Sequence, residues 1–515
     1  MKRIRSITLL LLVCMLLSLA ACSNPTETPS QAPSDTSSAE SLEPENTFYG
    51  YKIANEDGYG GKTITFLTTY ASSAGYQIDP FSNPDYDETK ASAVQTAVAE
   101  RTALVEEVLG VDIIEVPILS WQRNGSEQSE MLTAIRNDIV GGDFVYDVIM
   151  PCTRDAAILA RNGDLLELKT EFDGFDPTNE WWSQRFNSDV TICDKLYFTV
   201  GDIGYVNKEA TMFVAFNKKL MEDYHFCEDY GYESIYEMVD DYAWTVDKML
   251  AMSKSIYNDT NSNNRCDKGD LNGLAGQDGL VSWLLFGAGE TATTNDANGE
   301  PKLSIYNQRA IKLIDMVQEY TADNKNGFLS ANDYFSESNA PVADVTVPEF
   351  TAGRCLFFMD AVLNLELIRG MAEDFGIVPT PLLDESQTEY YSNISYWTSD
   401  ALCIPKSYYA DKSRLMMVAD VLEAMGAVSK EKVVPVYYEQ TLQNQISRDP
   451  ESERMLDIIF DSRTVELASI YNWGKISGLL AELSLKAPGS FTSLYDSVKD
   501  SAQAEIDATI DAFRD

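Results

Sequence analysis

Residues 62–68 read Lys-Thr-Ile-Thr-Phe-Leu-Thr and begin the stretch of sequence that decides the fold class. β-Branched and aromatic residues dominate this segment, which predicts a β-strand. From there to residue 160, similar segments alternate with segments whose apolar residues recur at helical spacing. The pattern predicts further strands at 111–118 and 146–150, and helices at 91–109, 127–140 and 153–160. This alternation predicts an α/β fold with a parallel or mixed sheet flanked by helices.

The segments that leave two of these strands are candidate ligand loops. In open α/β sheets, ligands bind in the crevice beyond the carboxyl ends of the strands. Residues 68–70 (Thr-Thr-Tyr) follow the first strand, and residues 150–154 (Met-Pro-Cys-Thr-Arg) follow the third. We therefore expect Tyr70 and Arg154 to lie near a binding site.

The first 21 residues predict an exported protein. Three basic residues within the first five precede an apolar run at 7–19. That run is shorter than the roughly 20 residues that a membrane-spanning helix needs, and it is typical of a secretory signal peptide. The junction at 19–22, Leu-Ala-Ala-Cys, resembles the bacterial lipobox, in which the cysteine is lipidated and the chain is cut before it. An ordinary signal peptide whose cleavage site happens to contain a cysteine is the alternative.

Residues 22–57 are predicted to be a lipidated anchor followed by a flexible tether. The chain from Ser23 to about Thr47 consists mostly of Ser, Thr, Pro, Glu and Ala, and it has almost nothing to bury. Acyl chains on Cys22, palmitate among them, would hold the protein durably at the extracellular face of the cell membrane. The anchor itself would then be the membrane contact.

The acidic composition argues against two classes of partner. The chain carries 81 acidic and 39 basic residues, for a formal net charge of −42. Residues 1–21 hold three basic and no acidic residues, so the chain without them carries −45. Nucleic acids and anionic lipid surfaces are bound through clustered Lys and Arg. Neither is therefore expected as a partner.

Residue types that hydrolases and zinc sites commonly use are scarce. His225 is the sole histidine, and it has no nearby motif, so we interpret it as a surface or packing residue. Six cysteines remain after loss of Cys14 and lipidation of Cys22, and they form no CxxC pair. Zinc and thioredoxin-like chemistry therefore have little support. The sequence leaves open whether any of these cysteines pair, since that depends on the compartment.

Five short segments carry a resemblance to a known family. They lie at 194–202 (Asp-Lys-Leu-Tyr-Phe, then Gly-Asp), 214–220 (Val-Ala-Phe-Asn-Lys-Lys-Leu), 350–359 (Phe-Thr-Ala-Gly-Arg, then Leu-Phe-Phe-Met), 376–381 (Gly-Ile-Val-Pro-Thr-Pro) and 470–474 (Ile-Tyr-Asn-Trp-Gly). In that order they resemble extracellular solute-binding proteins of ABC importers, in the branch that includes maltose- and oligosaccharide-binding proteins. Each segment alone is weakly diagnostic, whereas the ordered set is fairly specific.

The resemblance implies a two-lobed, periplasmic-binding-protein-like α/β fold. Each lobe would be a mixed sheet flanked by helices, with hinge strands joining the two. One lobe would comprise residues 58–205 and 349–410, and the other residues 206–348 and 411–515. The implied function is capture of an extracellular solute, a sugar or oligosaccharide, between the lobes and its delivery to a membrane permease. No catalysis and no required cofactor are implied, and we expect a monomer.

Sugar recognition needs flat apolar faces for C–H surfaces, and carboxylates or amides for hydroxyls. The same aromatic faces would suit a cation. The resemblance places the following candidates at loops between the lobes: Tyr70, Trp121, Arg154, Trp182, Asp202, Tyr205, Asp360, Tyr396, Trp397, Tyr471 and Trp473. Trp397 and Trp473 are the strongest, because they lie in irregular polar stretches. Trp283 belongs to an apolar run at 281–286, so we predict that it is a core residue.

Residues 259–270 form the sharpest local motif, with the spacing of an EF-hand calcium loop. The predicted oxygen ligands are Asp259, Asn261, Asn263, the carbonyl of Arg265, Asp267 and Asp270. Asn264 replaces the usual turn glycine, although asparagine tolerates the left-handed conformation. Asp270 replaces the usual bidentate glutamate. We predict a structural calcium ion that braces the second lobe, and an acidic, Asn-rich turn is the alternative.

Two further functions share parts of this pattern. A surface-anchored glycoside hydrolase would use a pair of carboxylates, but acidic residues this numerous make such a pair uninformative. A lipoprotein that senses a ligand for a signalling partner would share the fold with an importer's binding protein. Sequence does not separate sensing from transport.

Overall fold

The computed structural model describes residues 47–70, 91–119, 129–142, 145–406, 411–439 and 450–514. The predicted signal peptide and Cys22 lie outside these residues. The strands in the described ranges are β1 (Lys62–Tyr70), β2 (Val111–Leu119), β3 (Val148–Met150), β4 (Met212–Asn217), β5 (Asn272–Gly276), β6 (Thr293–Asn295), β7 (Pro301–Leu303), β8 (Phe328–Ser330), β9 (Cys355–Ala361), β10 (Phe375–Val378), β11 (Ser392–Asn393) and β12 (Arg463–Thr464).

Helices alternate with these strands and form a long C-terminal series. They are α1 (Ala93–Leu109), α2 (Glu130–Gly141), α3 (Thr153–Arg161), α4 (Gln184–Val190), α5 (Val206–Glu209), α6 (Lys218–Asp223), α7 (Ile235–Asp240), α8 (Val246–Ile256), α9 (Leu280–Gly287), α10 (Gln308–Thr321), α11 (Val347–Thr351), α12 (Leu365–Ile368), α13 (Lys412–Tyr437), α14 (Pro450–Asp461), α15 (Leu467–Tyr471), α16 (Ile476–Glu482) and α17 (Phe491–Arg514). Within the described ranges, no helix is both long enough and apolar enough to cross a lipid bilayer.

The first sheet is parallel, with strand order β2-β1-β3. Local capping explains why α1 begins and ends where it does. The Ser92 hydroxyl accepts a hydrogen bond from the Gln95 amide (3.2 Å), and the Gln95 side chain accepts one from the Ser92 amide (2.9 Å), which is a capping box. Gly110 ends the helix in the left-handed conformation (φ 61°). The predicted strands and helices between residues 62 and 161 are confirmed, with ends that differ by up to three residues.

The second sheet is mixed, with strand order β10-β4-β9-β5-β8. β5 is parallel to β8 and β9, while β4 is antiparallel to β9 and β10. Every residue of β4, β5 and β9 is buried, so helices and loops cover both faces of the sheet. The carboxyl ends of β5, β8 and β9 consequently meet at one edge.

Two crossover segments connect the sheets. The chain leaves the first sheet through residues 199–211 and returns through residues 394–402. Isolated bridges pair the two segments antiparallel at both ends: Thr199 with Leu402, and Thr211 with Ile394.

The strand pairing differs from the predicted lobe boundaries. β9 and β10 fall within the 349–410 segment that was assigned to the first lobe, yet they pair with β4 in the second sheet. Residues near Cys403, which bridges Ile149, do lie beside β3. The helix α13, which was assigned to the second lobe, packs on α1, where the Arg101 guanidinium donates to the Ser429 hydroxyl (3.1 Å). A strand buried on both faces carries no polarity pattern that identifies its sheet, and the boundaries came from the resemblance alone.

A buried carboxylate joins α13 to the loop that precedes α4. Glu423 is fully buried and accepts hydrogen bonds from the indole nitrogens of Trp181 (2.7 Å) and Trp182 (3.2 Å). It also accepts from the Asn179 side chain (3.0 Å) and the Asp176 amide (2.7 Å). One side chain therefore holds four donors of this loop.

Candidate functional site

A cleft of about 520 Å³ lies at the edge where β5, β8 and β9 end. Gln277 directly follows β5, Asn332 follows β8, and Asp360 is the penultimate residue of β9. The opposite wall comes from residues 393–398 of the returning crossover segment and from the C-terminal helices α15 and α16. This is the position at which α/β sheets bind ligands.

Aromatic side chains form the broad apolar faces of the cleft. Tyr396 and Trp397 lie side by side, with ring centroids 5.4 Å apart. Trp283 and Phe286 project from α9, and Phe335 comes from the turn that follows β8. Trp397 is 42% exposed and Phe335 is 57% exposed, so both rings can contact a ligand. Large exposed aromatic side chains inside a cleft are typical of a binding site.

Asp360 supplies a carboxylate at the base of the cleft. Its Oδ1 accepts hydrogen bonds from the Ala361 amide (2.7 Å) and the Asn364 side chain (3.0 Å), and its Oδ2 accepts one from the Gln277 side chain (2.9 Å). Asp360 is only 4% exposed. Burial raises the pKa of this carboxyl, and the three hydrogen bonds oppose the rise. The side chain is thus fixed in place and is ready to accept a hydrogen bond from a ligand.

Arg154 lies behind the aromatic wall. Its guanidinium sits over the Tyr396 ring, 4.2 Å from the centroid, and 5.4 Å from that of Trp397. Its Nη2 donates to the Ser469 carbonyl (2.7 Å) and the Ser477 hydroxyl (2.9 Å). This residue follows β3, so it connects the first sheet to both parts of the opposite wall.

The structure brings together four of the eleven predicted ligand residues. Asp360, Tyr396 and Trp397 line the cleft, and Arg154 supports the two rings. The side chains of Tyr70 and Trp121 lie outside the described part of the chain. The ligand-binding role of each residue stays a prediction.

Three predicted aromatic residues lie in the hydrophobic core. Trp473 is fully buried, stacks on Tyr471 (centroids 4.9 Å apart), and donates its indole N–H to Thr509 of α17 (2.9 Å). Trp182 packs so closely on Gly201 that a Cβ there would lie 2.4 Å from its ring. The placement of these residues in the cleft is therefore wrong. The polar stretch around Trp473 reflects a tight turn, because Asn472 adopts the left-handed conformation (φ 51°), and exposure is not required to explain it.

Asp202 and Tyr205 lie on the outgoing crossover segment, away from the residues that line the cleft. Asp202 accepts a hydrogen bond from the Lys208 ammonium (2.7 Å), and both side chains are largely buried. Tyr205 stacks on Tyr437 of α13, with ring centroids 5.5 Å apart. Their contacts are those of residues that fix the crossover.

The cleft also contains residues that the sequence did not reveal. Trp283 is half-buried and lines the cleft, so its prediction as a core residue is wrong. Nearly every residue of α9 is apolar. The sequence therefore gives no polar positions from which to tell which side of the helix faces the cleft. Gln277 and Asn364 carried no motif, because their role depends on strands meeting in space.

The predicted calcium loop is compact and hydrogen-bonded internally. The Asp259 carboxylate accepts hydrogen bonds from the amides of Asn263 (3.2 Å) and Asn264 (2.7 Å). The Asn261 side chain donates to Asp267 (2.9 Å). Across the described ranges, no group of three or more His, Cys, Asp or Glu side chains is arranged to hold a metal ion. Calcium binding stays a prediction.

The cysteines of the described ranges and the histidine lie outside the lining of the cleft. Of the six cysteines whose pairing the sequence left open, five are buried and Cys193 is half-buried. His225 is exposed, with its Nδ1 3.1 Å from a carboxylate oxygen of Glu228, as expected for a surface residue.

Comparisons with known proteins agree with this architecture. No protein-family model matches the sequence, and no curated protein matches it by sequence. Solved structures do match. A cyclic α-maltosyl-1,6-maltose binding protein from Arthrobacter globiformis is 12% identical (TM-score 0.53), with 88% of this chain and 99% of that chain covered.

Two proteins from Listeria monocytogenes match similarly. An ABC substrate-binding protein in complex with cycloalternan is 13% identical (TM-score 0.52), with 86% of this chain and 99% of that chain covered. A maltose-binding periplasmic protein in complex with maltose is 14% identical (TM-score 0.52), with 87% and 98% covered. At this level of identity, the likeness establishes the fold. The chain therefore has the α/β fold of the two-lobed periplasmic binding proteins.

Proposed function

We propose that this protein is the substrate-binding lipoprotein of an ABC importer and that it captures a sugar or oligosaccharide in the cleft. Solved proteins with this fold are described as bound to maltose and cycloalternan, which supports a saccharide as the ligand. The residues of the cleft carry the argument.

One observation carries the proposal: aromatic faces and hydrogen-bonding groups meet in the same cleft. Tyr396, Trp397 and Trp283 offer flat surfaces to the C–H face of a sugar ring. Asp360 and Asn364 lie in the same cleft and can bond hydroxyl groups. A purely apolar ligand would leave these polar groups without partners, at a cost in affinity.

Hinge closure is the proposed mechanism of capture. The two crossover segments connect the sheets, and small changes in their backbone angles would move one sheet relative to the other. A ligand that contacts both walls of the cleft favours the closed arrangement by its greater affinity for it. Asp202 and Tyr205 lie on the outgoing segment, and their contacts with Lys208 and Tyr437 would have to adjust during such bending.

The remaining parts of the proposal concern location and partners. Lipid on Cys22 and the tether at 22–57 would keep the binding protein near membrane permease subunits, which raises their effective concentration. A monomer and an extracellular position fit this role. Among the described residues that line the cleft, Asp360 is the sole acidic side chain, which supports binding over the two-carboxylate hydrolysis that glycosidases use. Sensing for a signalling partner would use the same cleft and hinge.

The test is a ligand screen with a matched pair of variants. A panel of mono- and oligosaccharides is screened by thermal unfolding, and hits are measured by calorimetry. A ligand at 100 times its Kd should stabilise the protein by about 2.7 kcal/mol. Trp397→Ala should weaken binding about tenfold or more, in line with loss of a stacked aromatic ring. Tyr224→Ala is the control, because Tyr224 is similarly exposed (44%) and does not line the cleft.

Two results would refute the proposal. One is a broad sugar panel that leaves the unfolding temperature and tryptophan emission unchanged. The other is equal loss of affinity in Trp397→Ala and Tyr224→Ala, since that would place the binding site elsewhere.

A further inference from the structure

Within the described ranges, the lining of the cleft carries one formal charge, and that charge is negative. Among its described lining residues, Asp360 is the single formal charge, and no Lys or Arg is present. The other polar groups there are amides and hydroxyls, such as those of Gln277, Asn332, Asn393 and Thr398. The cleft therefore has a negative base and neutral walls.

No cation within the described residues offsets the Asp360 charge. The three donors to its carboxylate are the Ala361 amide and the side chains of Asn364 and Gln277, all of them neutral. Oδ1 has two partners and Oδ2 has one, so Oδ2 can accept a further donor. A buried carboxylate with neutral partners gains most from a positively charged donor, because such hydrogen bonds are about twice as strong as neutral ones.

The guanidinium of Arg154 is engaged by residues of the cleft wall. Arg154 is 6% exposed, and its Nη2 donates to Ser469 and Ser477. The Tyr396 ring lies against its face, so that ring separates the guanidinium from a ligand in the cleft. The positive charge stiffens the aromatic wall and offers no direct partner to an anionic ligand.

The aromatic walls add to the same preference. The faces of Trp283, Trp397 and Tyr396 carry the negative potential of aromatic rings, which attracts a cation. An anionic group placed among them would meet that potential and the Asp360 carboxylate, while the Arg154 guanidinium behind Tyr396 already donates to Ser469 and Ser477. The Asp360 carboxylate and the aromatic faces therefore both favour a positively charged ligand over a neutral one and a neutral ligand over a negative one.

We propose that the cleft selects saccharides by charge, with Asp360 as the specificity-determining residue: amino sugars with a protonated amine bind most tightly, neutral sugars less so, and uronic acids least. This inference rests on the proposed saccharide-binding function and specifies the class of saccharide. An ammonium group donates to Asp360 Oδ2 while the sugar ring stacks on the aromatic wall.

The test uses trisaccharides that share one β-1,4-linked glucose backbone. These are chitotriose with three free amines, the neutral N-acetylated form of chitotriose, neutral cellotriose, and a triuronic acid. Calorimetry is performed at about pH 6, below the usual pKa of an α-amino group. Chitotriose should bind about tenfold more tightly than cellotriose, the difference expected between a charged and a neutral hydrogen bond. The uronate should bind more weakly than cellotriose.

Two variants separate the charge in the cleft from net charge. Asp360→Asn keeps the side-chain shape, and Gln277 can turn its amide to pair with it. This variant should still bind cellotriose, but the advantage of chitotriose should fall to about twofold or less. Glu431→Gln removes one negative charge from an exposed position on α13 and should keep the wild-type order.

Equal binding of cellotriose and chitotriose by the wild-type protein would overturn the inference and leave the saccharide-binding function standing. An advantage for chitotriose that persists in Asp360→Asn would also overturn it, because the selecting charge would lie elsewhere. Failure of every trisaccharide in this set to bind would overturn it too. Failure of the broad sugar panel would remove the proposed function itself.

Discussion

Glu423 offers the sharpest stability prediction, because its hydrogen bonds can be counted. Glu423→Leu removes the acceptor of four donors. Asp176 is exposed and Asn179 is half-buried, so water can replace the carboxylate at both. The indole N–H groups of Trp181 and Trp182 are buried (4% and 2% exposed) and would lose their partner. At about 1–3 kcal/mol for each buried unsatisfied donor, the loss is about 2–6 kcal/mol.

Glu423→Gln separates hydrogen bonding from packing. One carboxylate oxygen, Oε2, serves both indoles and Asn179, while Oε1 serves the Asp176 amide. A glutamine can place its carbonyl oxygen at the Oε2 position, and water can then satisfy the Asp176 amide. The expected loss is therefore about 1 kcal/mol, the worth of a single hydrogen bond.

The assay is urea unfolding followed by far-UV circular dichroism, which avoids the altered tryptophan environment. The exposed Glu431→Gln, on the same helix, is the control and should change the free energy of unfolding by less than about 0.5 kcal/mol. The expected order of stability is wild type, Gln, then Leu. A Leu variant within about 1 kcal/mol of wild type, or a Gln variant as unstable as Leu, would refute the reasoning.

Four further predictions concern the cleft, the buried Glu209 on the outgoing crossover segment, the calcium loop and the lipid anchor. Arg154→Met should weaken saccharide binding and shift Trp397 emission, because the two rings lose their support; unchanged affinity would show that the rings are held by other contacts. Burial, with Glu366 nearby, raises the pKa of Glu209 to about 8. The folded state therefore holds this proton more tightly than the unfolded state, so stability should fall as pH rises from about 4.5 to about 8. Glu209→Gln should flatten that slope in unfolding curves, and an unaltered slope would contradict the assignment. Calorimetry on chelator-stripped protein should show calcium binding and a higher unfolding temperature, both lost in Asp259→Ala; no heat in the wild type would remove the calcium site. Cys22→Ser should move the protein from the membrane fraction to the medium and abolish palmitate labelling, whereas unchanged fractionation would contradict lipidation.

The early part of the fold was predictable because local signals agree there. In α1, the apolar spacing, the Ser92 cap and the Gly110 terminator all specify the same helix. The flanking strands β1 and β2 are rich in β-branched residues. Where local pattern and chain spacing coincide, the fold class follows without knowledge of distant contacts.

The division into lobes and the composition of the cleft depend on contacts between distant segments. β9 is apolar on both faces, so its place between β4 and β5 was not readable from its residues. For a related reason, Trp473 was predicted to lie at the ligand site but is buried in the core, whereas Trp283 was predicted to be a core residue but lines the cleft. The polarity of flanking residues reports the local turn or helix, whereas exposure depends on what packs against the ring. Asp360 and Trp397 were predicted because the family resemblance placed them at loops between the lobes, and Trp397 also lies in an irregular polar stretch.

The composition of the cleft has a consequence for how the protein is made. Its lining residues come from distant parts of the chain, including Met212, Gln277, Asp360, Tyr396 and Ser477. Ser469, Ser477 and Ala481 follow all the other lining residues along the chain. Synthesis proceeds from the N-terminus, so the wall supplied by α15 and α16 is the last part of the cleft to be made. A nascent or truncated chain would expose aromatic residues without enclosing a ligand, and binding competence would therefore report that synthesis has passed α16.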